Sequence, residues 1–264
     1  MKRRNFFVTM LSFITLLPLY LNSRNLNPLE FTAANKRKRV DKRWMHMNKS
    51  FDYFDYDFID DMGFGLLRVL DDFELDHLSG TPVHPHKDME ILTILLKGQI
   101  FHQDSLGNSG LLKAGDYQLM SAGKGLKHAE TNPSQFEKAQ GLQIWISSKN
   151  EQGTSYYQQR GGKSINLNNR FTIIASHTKN KGMYLEQEAQ ILRGQFDSNK
   201  SLNYKLKYPE NGLYVFLIEG EITVLGKVLK NGDGLGISTK KEITLMTQKR
   251  SDILLIEVPK QGAF

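Results

Sequence analysis

Two short runs in this chain carry side chains able to hold a metal ion. His84-Pro85-His86 and His128-Ala129-Glu130 each place two donors two positions apart. In an extended strand, side chains at that spacing leave the same face, so each run offers a pair of ligands to one point. Where the two runs meet, three imidazoles and one carboxylate form a mononuclear site with positions left for outside ligands. A single H-x-H on a strand is otherwise an ordinary half-buried pair, so the case depends on what surrounds it. Four of the seven histidines fall between Thr81 and Pro133. His102 and Asp104, also two apart, are alternative ligands, with hydrogen bonding beside a turn as their expected task. His177 stands alone and reads as structural.

The elements that must bring these runs together read almost entirely as strand. Residues 90–96 are short and apolar, Lys97-Gly98 turns the chain, residues 99–104 return, and Ser105-Leu106-Gly107-Asn108 turns it again. A turn at Ala114-Gly115-Asp116, residues 117–120 and a loop with Gly123 and Gly125 lead into the strand of His128. The strand 142–146, bearing Trp145, closes the unit. Many short strands separated by glycine turns predict an all-β jelly-roll barrel. After a polar connection, residues 147–164, the plan repeats. Leu95-Leu96-Lys97-Gly98-Gln99-Ile100 recurs as Leu217-Ile218-Glu219-Gly220-Glu221-Ile222, and Leu112-Lys113-Ala114-Gly115-Asp116 as Leu229-Lys230-Asn231-Gly232-Asp233. Shifting by the glycines sets Leu206 and Tyr208 against His84 and His86, and Leu245 and Thr247 against His128 and Glu130. The second copy therefore keeps a scaffold and lacks every ligand, as expected if the histidines serve chemistry and not folding.

The order His84, His86, Glu90, Gly98, then Gly115, Gly123, Gly125, His128, Asn132 resembles the two-part cupin signature G-x5-H-x-H-x3,4-E-x6-G and G-x5-P-x-G-x2-H-x3-N. Ser121 stands where that signature has proline, and two residues are added before the last histidine. With those departures HPHKDMEILT, HQDSLGN and MSAGKGLKHAE resemble the pirin branch of the cupins, from about Trp44 to the C-terminus. The resemblance implies two tandem cupin barrels, a bicupin, with the metal in the first on His84, His86, His128 and Glu130. It implies that Glu90 is not itself a ligand but fixes an imidazole or a metal-bound water. It also implies Fe(2+), although the same donors accept Zn, Mn, Ni or Cu. For bacterial relatives it implies quercetin 2,3-dioxygenase activity: a flavonol bound through its 3-hydroxyl and 4-carbonyl region, opened by dioxygen with loss of carbon monoxide. Glu130 or Glu90 would take the proton of the substrate hydroxyl. Alternatives in other classes are a non-catalytic, iron-binding regulatory or protein-interaction module, since the family also includes nuclear proteins that bind transcription factors, and a cupin isomerase or sugar-binding barrel.

Composition narrows the rest. The 264 residues include no cysteine, which excludes a disulfide framework and a thiolate metal site. Lys2-Arg3-Arg4 precedes an uncharged run from Phe6 to Leu21, the pattern of an export signal and too short to span a membrane. Arg3-Arg4-Asn5-Phe6-Phe7 resembles the twin-arginine motif, which addresses folded cargo to export machinery and predicts a periplasmic protein. Residues 1–43 hold ten of the 35 Lys+Arg and two of the 28 Asp+Glu, leaving 25 basic and 26 acidic residues in the body. A neutral body offers no basic surface for nucleic acid. The run Lys36-Arg37-Lys38-Arg39 reads as a solvated linker, or one held weakly to anionic lipid. Trp44 to Asp76 mixes aromatics with aspartates that do not fit a calcium loop, and predicts irregular chain leading into a strand at 66–70. The expected division is an export signal and leader over 1–34, a metal-binding cupin over 35–150 and a ligand-free cupin over 151–264.

Overall fold

The computed structural model describes residues 26–51 and 63–261. The export signal read in residues 1–23 and the aspartate-rich stretch 52–62 lie outside the described residues. Strand β1 (Leu29–Thr32) is followed by a single 3-10 turn, Ala34–Lys36, and a hairpin of β2 (Lys38–Lys42) and β3 (Met45–Lys49). Next come β4 (Leu67–Leu75), β5 (Ser79–His86), β6 (Met89–Lys97), β7 (Gln99–Asp104), β8 (Ser109–Lys113), β9 (Tyr117–Ser121), β10 (Leu126–Asn132), β11 (Ala139–Ser147) and β12 (Tyr156–Arg160). The second half contains β13 (Thr172–Ser176), β14 (Met183–Tyr184), β15 (Gln190–Phe196), β16 (Ser201–Lys205), β17 (Asn211–Glu219), β18 (Glu221–Val224), β19 (Lys227–Lys230), β20 (Gly234–Ile237), β21 (Glu242–Thr247) and β22 (Ser251–Pro259).

Each half is a barrel of two sheets. In the first, β12-β9-β6-β11-β4-β3-β2 faces β5-β10-β7-β8; in the second, β1-β20-β17-β22-β15-β13-β14 faces β16-β21-β18-β19. Strand alternation assigns the faces. On β6, Ile91 and Leu95 point into the barrel while Leu92 and Ile94 point outward; on β17, Val215 and Leu217 point inward while Tyr214 and Phe216 point outward. The outward set does not meet water. Leu92, Ile94 and Ile144 of the first barrel pack with Ile191, Tyr214, Phe216, Leu254 and Ile256 of the second in one apolar layer. The central strands are therefore buried on both sides and read as unbroken apolar runs, each fully buried Leu or Ile contributing about 1.5–3 kcal/mol.

The internal repeat is visible in the turns. Gly98 and Gly220 both take left-handed backbone, φ +71° and +110°, where a Cβ would be strained. In both copies an aspartate closes the next turn onto a backbone N–H: Asp116 onto Lys113 at 2.9 Å and Asp233 onto Lys230 at 2.8 Å. The strand ladders also correct the alignment. His128 pairs with His84 and Leu126 with His86; at the matching place Leu245 pairs with Leu202 and Ile243 with Tyr204. The counterparts of His84 and His86 are thus Leu202 and Tyr204, not Leu206 and Tyr208. The glycine shift misplaced them because residues 206–210 join β16 to β17 where only Lys87 and Asp88 join β5 to β6.

Three boundaries differ from expectation, two of them because a short segment found a sheet edge. The leader does not extend through residue 34: β1 adds to the second barrel beside β20. The connection 147–164 contains β12, which pairs with β9 of the first barrel. The segment after Trp44 is not irregular at its start, since β3 pairs with β4, and β4 runs on to Leu75. The basic run is likewise not a free linker. Lys38 and Arg39 begin β2, and Arg37 is buried, its guanidinium donating to Asp72 Oδ2 at 3.1 Å and lying over the Phe216 ring.

Candidate metal centre

The four-stranded sheet of the first barrel carries the site. β10 lies between β5 and β7, so His128 faces His84 across one ladder and Asp104 across the other, while Glu130 faces His102. Parity turns residues 126, 128, 130 and 132 inward, and the exposed Lys127 and Thr131 outward. The register shifts there: two steps along β10, His128 to Glu130, oppose three along β5, His84 to Thr81, so the extra residue bulges β5 just before His84.

His84, His86 and His128 converge, one nitrogen from each lying within 4.8 Å of the others. The Nε2 atoms of His86 and His128 are 3.0 Å apart. Two imidazoles each about 2.1 Å from one ion and at right angles to it have nitrogens about 3.0 Å apart, so the pair fits two neighbouring corners of an octahedron. His84 Nδ1 lies 2.8 Å from the Pro82 carbonyl oxygen, which can only accept; Nδ1 therefore carries the proton and Nε2 keeps its lone pair for the cluster. Trp145 stands edge-on to His86 with ring centroids 4.7 Å apart.

Glu130, the fourth expected donor, falls outside that group of three and forms a second cluster with His128 and His102. It is buried, and its two oxygens accept from Gln118 Nε2 at 3.3 Å and Gln143 Nε2 at 3.0 Å. Gln143 Oε1 in turn accepts from the indole N–H of Trp145 at 3.1 Å. These donors orient the carboxylate while burial pushes its pKa up. Burial, with repulsion from neighbouring imidazoles, lowers the pKa of His86 to about 4 and of His128 to about 2. Both rings are therefore neutral near pH 7, the state a metal requires.

Glu90 lies elsewhere. It shares the outward face of β6 with Leu92 and Ile94, and its carboxylate accepts from the Tyr156 hydroxyl at 2.8 Å and from the backbone N–H groups of Glu186 and Gln187 at 2.7 and 2.8 Å. It clamps a loop of the second barrel and contacts none of the clustered histidines, so the expected role beside the metal is not what the geometry gives it. His102 is fully buried with its Nε2 3.4 Å from Asp104 Oδ2, and Asp104 caps its turn, accepting from the N–H groups of Leu106 and Asn108. Gln118, Gln143 and Tyr157 had no sequence signal of their own. Strand parity could have found the first two, since Gln118 and Gln143 flank Thr93 on the sheet and share its inward face. His177 stays apart, Nδ1 against the Leu185 carbonyl oxygen at 3.1 Å.

An apolar wall adjoins the histidines: Met89, Ile91, Met120, Ala122 and Leu126, with Trp145 against them. Among the described residues the second barrel has no such cluster. Its interior is filled by residues such as Leu213, Val215, Ile222, Val224, Leu245 and Leu255.

Known proteins resemble this chain along both barrels. The pirin family profile matches residues 31–146, and the profile described as the quercetinase C-terminal cupin domain matches residues 172–258. A quercetin 2,3-dioxygenase of Escherichia coli is 30% identical over 226 residues, 86% of this chain and 96% of that protein. The crystal structure of YhhW from Escherichia coli superposes with a TM-score of 0.83 at 30% identity, covering 89% of this chain and all of that one. A structure of bacterial pirin YhhW in complex with nickel(II) superposes with a TM-score of 0.80 at 30% identity, over 88% of this chain and 99% of that one.

Proposed function

The chain belongs to the pirin family, and from that premise we propose that it is a metal-dependent dioxygenase that opens a flavonol ring of the quercetin type. The observation that carries this reading is the convergence of His84, His86 and His128 at the end of a barrel whose companion barrel keeps the ladders and loses every ligand. In this proposal His84, His86, His128 and Glu130 hold Fe(2+), for which imidazole and carboxylate are suitable donors. Bound there, the ion supplies Lewis acidity toward a hydroxyl beside a carbonyl and a route for electrons to dioxygen.

The chain's own residues do the rest. Met120, Leu126 and Trp145 offer an apolar and aromatic wall next to His86, on which a planar ring can lie out of water. The Glu130 carboxylate, buried within reach of the cluster, is the group proposed to take the proton of an enol-like hydroxyl as that group enters. Gln118 and Gln143 hold both of its oxygens in place before the substrate arrives. The export signal read in residues 1–23 extends the proposal to a periplasmic site of action.

Dioxygen consumption by the iron-loaded protein in the presence of quercetin, compared with His128→Ala, tests the assignment. Uptake by the parent and its loss in the variant is the expected result. No uptake by the parent at full iron occupancy removes the catalytic claim.

A further inference from the structure

We propose that His102 and Asp104 are positioning residues for His128, linked to it by a chain of hydrogen bonds that decides which nitrogen of His128 faces the metal. The inference rests on the metal reading above and deepens it.

The argument starts at the carboxylate. Asp104 accepts from the N–H groups of Leu106 and Asn108 at 2.9 and 3.0 Å, and from Asn108 Nδ2 at 3.2 Å to one oxygen and 3.0 Å to the other. So surrounded by donors it is an acceptor only. Its Oδ2 lies 3.4 Å from His102 Nε2, with both side chains closed to solvent, so that nitrogen carries the hydrogen. His102 Nδ1 is then a bare acceptor, and Gln118 Nε2 lies 3.3 Å from it. His128 Nδ1 faces the same atom at 3.4 Å. The Gln118 amide and His128 share the single lone pair of His102 Nδ1; because that nitrogen carries no hydrogen, the one between the two rings belongs to His128 Nδ1. With Nδ1 protonated, His128 keeps the lone pair on Nε2, the atom 3.0 Å from His86 Nε2. Pro82 does the same for His84 through its carbonyl oxygen. Tyr157 stacks on His102 with centroids 4.8 Å apart and planes 24° from parallel, which holds the intermediate ring in the required plane.

The second barrel supplies an internal control. At the places of His102 and Asp104 it has Ile222 and Val224, paired with Thr247 and Leu245 in the register that pairs the originals with Glu130 and His128. The fold needs neither an imidazole nor a carboxylate there, and both disappear in the copy that lacks the ligands.

The test uses the full chain after chelator treatment, with long-range proton–nitrogen correlation spectra of the histidine rings and nickel(II) as the metal probe. The parent should show His128 protonated at Nδ1 and bare at Nε2. His102→Ile should mix the two tautomers and weaken nickel binding roughly 10- to 100-fold. His102→Gln, whose amide oxygen can accept from His128 Nδ1, should restore the parent tautomer and most of the affinity. A parent His128 protonated at Nε2, or His102→Ile with unchanged tautomer and unchanged affinity, overturns the inference. Failure of the parent to bind nickel or iron would instead remove the metal reading, since the metal-free tautomer tests the hydrogen-bond chain by itself.

Discussion

Glu90 separates two accounts of the same carboxylate, one catalytic and one architectural. Its oxygens receive the backbone N–H groups of Glu186 and Gln187 and the hydroxyl of Tyr156. Glu90→Leu leaves both N–H groups without their acceptor, that of Gln187 in a buried bond and that of Glu186 in a partly buried one; the tyrosine can turn to the Tyr184 carbonyl oxygen, already 3.1 Å away. Each stranded buried donor costs about 1–3 kcal/mol, so the variant should lose about 4 kcal/mol. For a chain of this length that corresponds to a fall in Tm of roughly 8–16 °C. Glu90→Gln keeps one acceptor and strands one N–H, which predicts a loss of about 1–3 kcal/mol. Calorimetry measures the stability, and elemental analysis of the same samples below their melting transitions measures metal stoichiometry. The expected pattern is a graded loss of stability from parent to Gln to Leu at unchanged stoichiometry. A Glu90→Gln protein that melts with the parent but fails to hold metal or to turn over substrate would refute the clamp and return Glu90 to the metal site.

Three further outcomes are expected. His128→Leu copies the second barrel, where Leu245 occupies the matching position, so it should abolish metal uptake by elemental analysis while leaving urea stability equal to or above that of the metal-free parent. The metal-free protein should lose stability as pH falls: His86 has a pKa of about 4 when folded against 6.5 when free, so the unfolded chain binds more protons between those values. That single group accounts for about 3 kcal/mol lost from pH 6.5 down to pH 4, and His86→Leu should flatten the slope in urea titrations across this window. Replacing Arg3 and Arg4 together by lysine should leave the protein in the cytoplasmic fraction if the twin-arginine reading is right; unchanged fractionation would point to a different export signal.

Much of the site was legible because it follows period two. His84 with His86 and His128 with Glu130 share faces by counting alone, and the structure brings the three histidines together. Counting misled at Glu90, because family position suggested a role that parity denies: residue 90 shares a face with 92 and 94, and that face belongs to the second barrel. The error was avoidable only by knowing that both faces of β6 are buried, a fact an unbroken apolar run hints at without saying what covers it. Register was less legible. Equal strand lengths from Asn211 to Gly220 and from Met89 to Gly98 aligned the repeats correctly, but the longer connector before Asn211 put the ligand counterparts four residues away. Connectors carry no periodicity, so no count through them is safe. The edge strands β1 and β12 escaped for a related reason, since a strand with one open side needs little apolar sequence.

The two barrels together show how such a site is tolerated. Aliphatic side chains fill the second interior, whereas the first spends comparable space on four imidazoles, the carboxylates of Glu130 and Asp104, and the amides of Gln118 and Gln143. Polar groups in such a place stabilise little even when hydrogen-bonded, and each unpaired one costs about 1–3 kcal/mol. The deficit is offset outside the first barrel's interior. Its seven-stranded sheet turns a second apolar face onto the second barrel, and Glu90 and Arg37 tie the two across that layer. A ligand-free second barrel is thus not a vestige: it supplies apolar burial to a first barrel whose interior is given over to polar chemistry, and the fold can keep it without keeping its histidines.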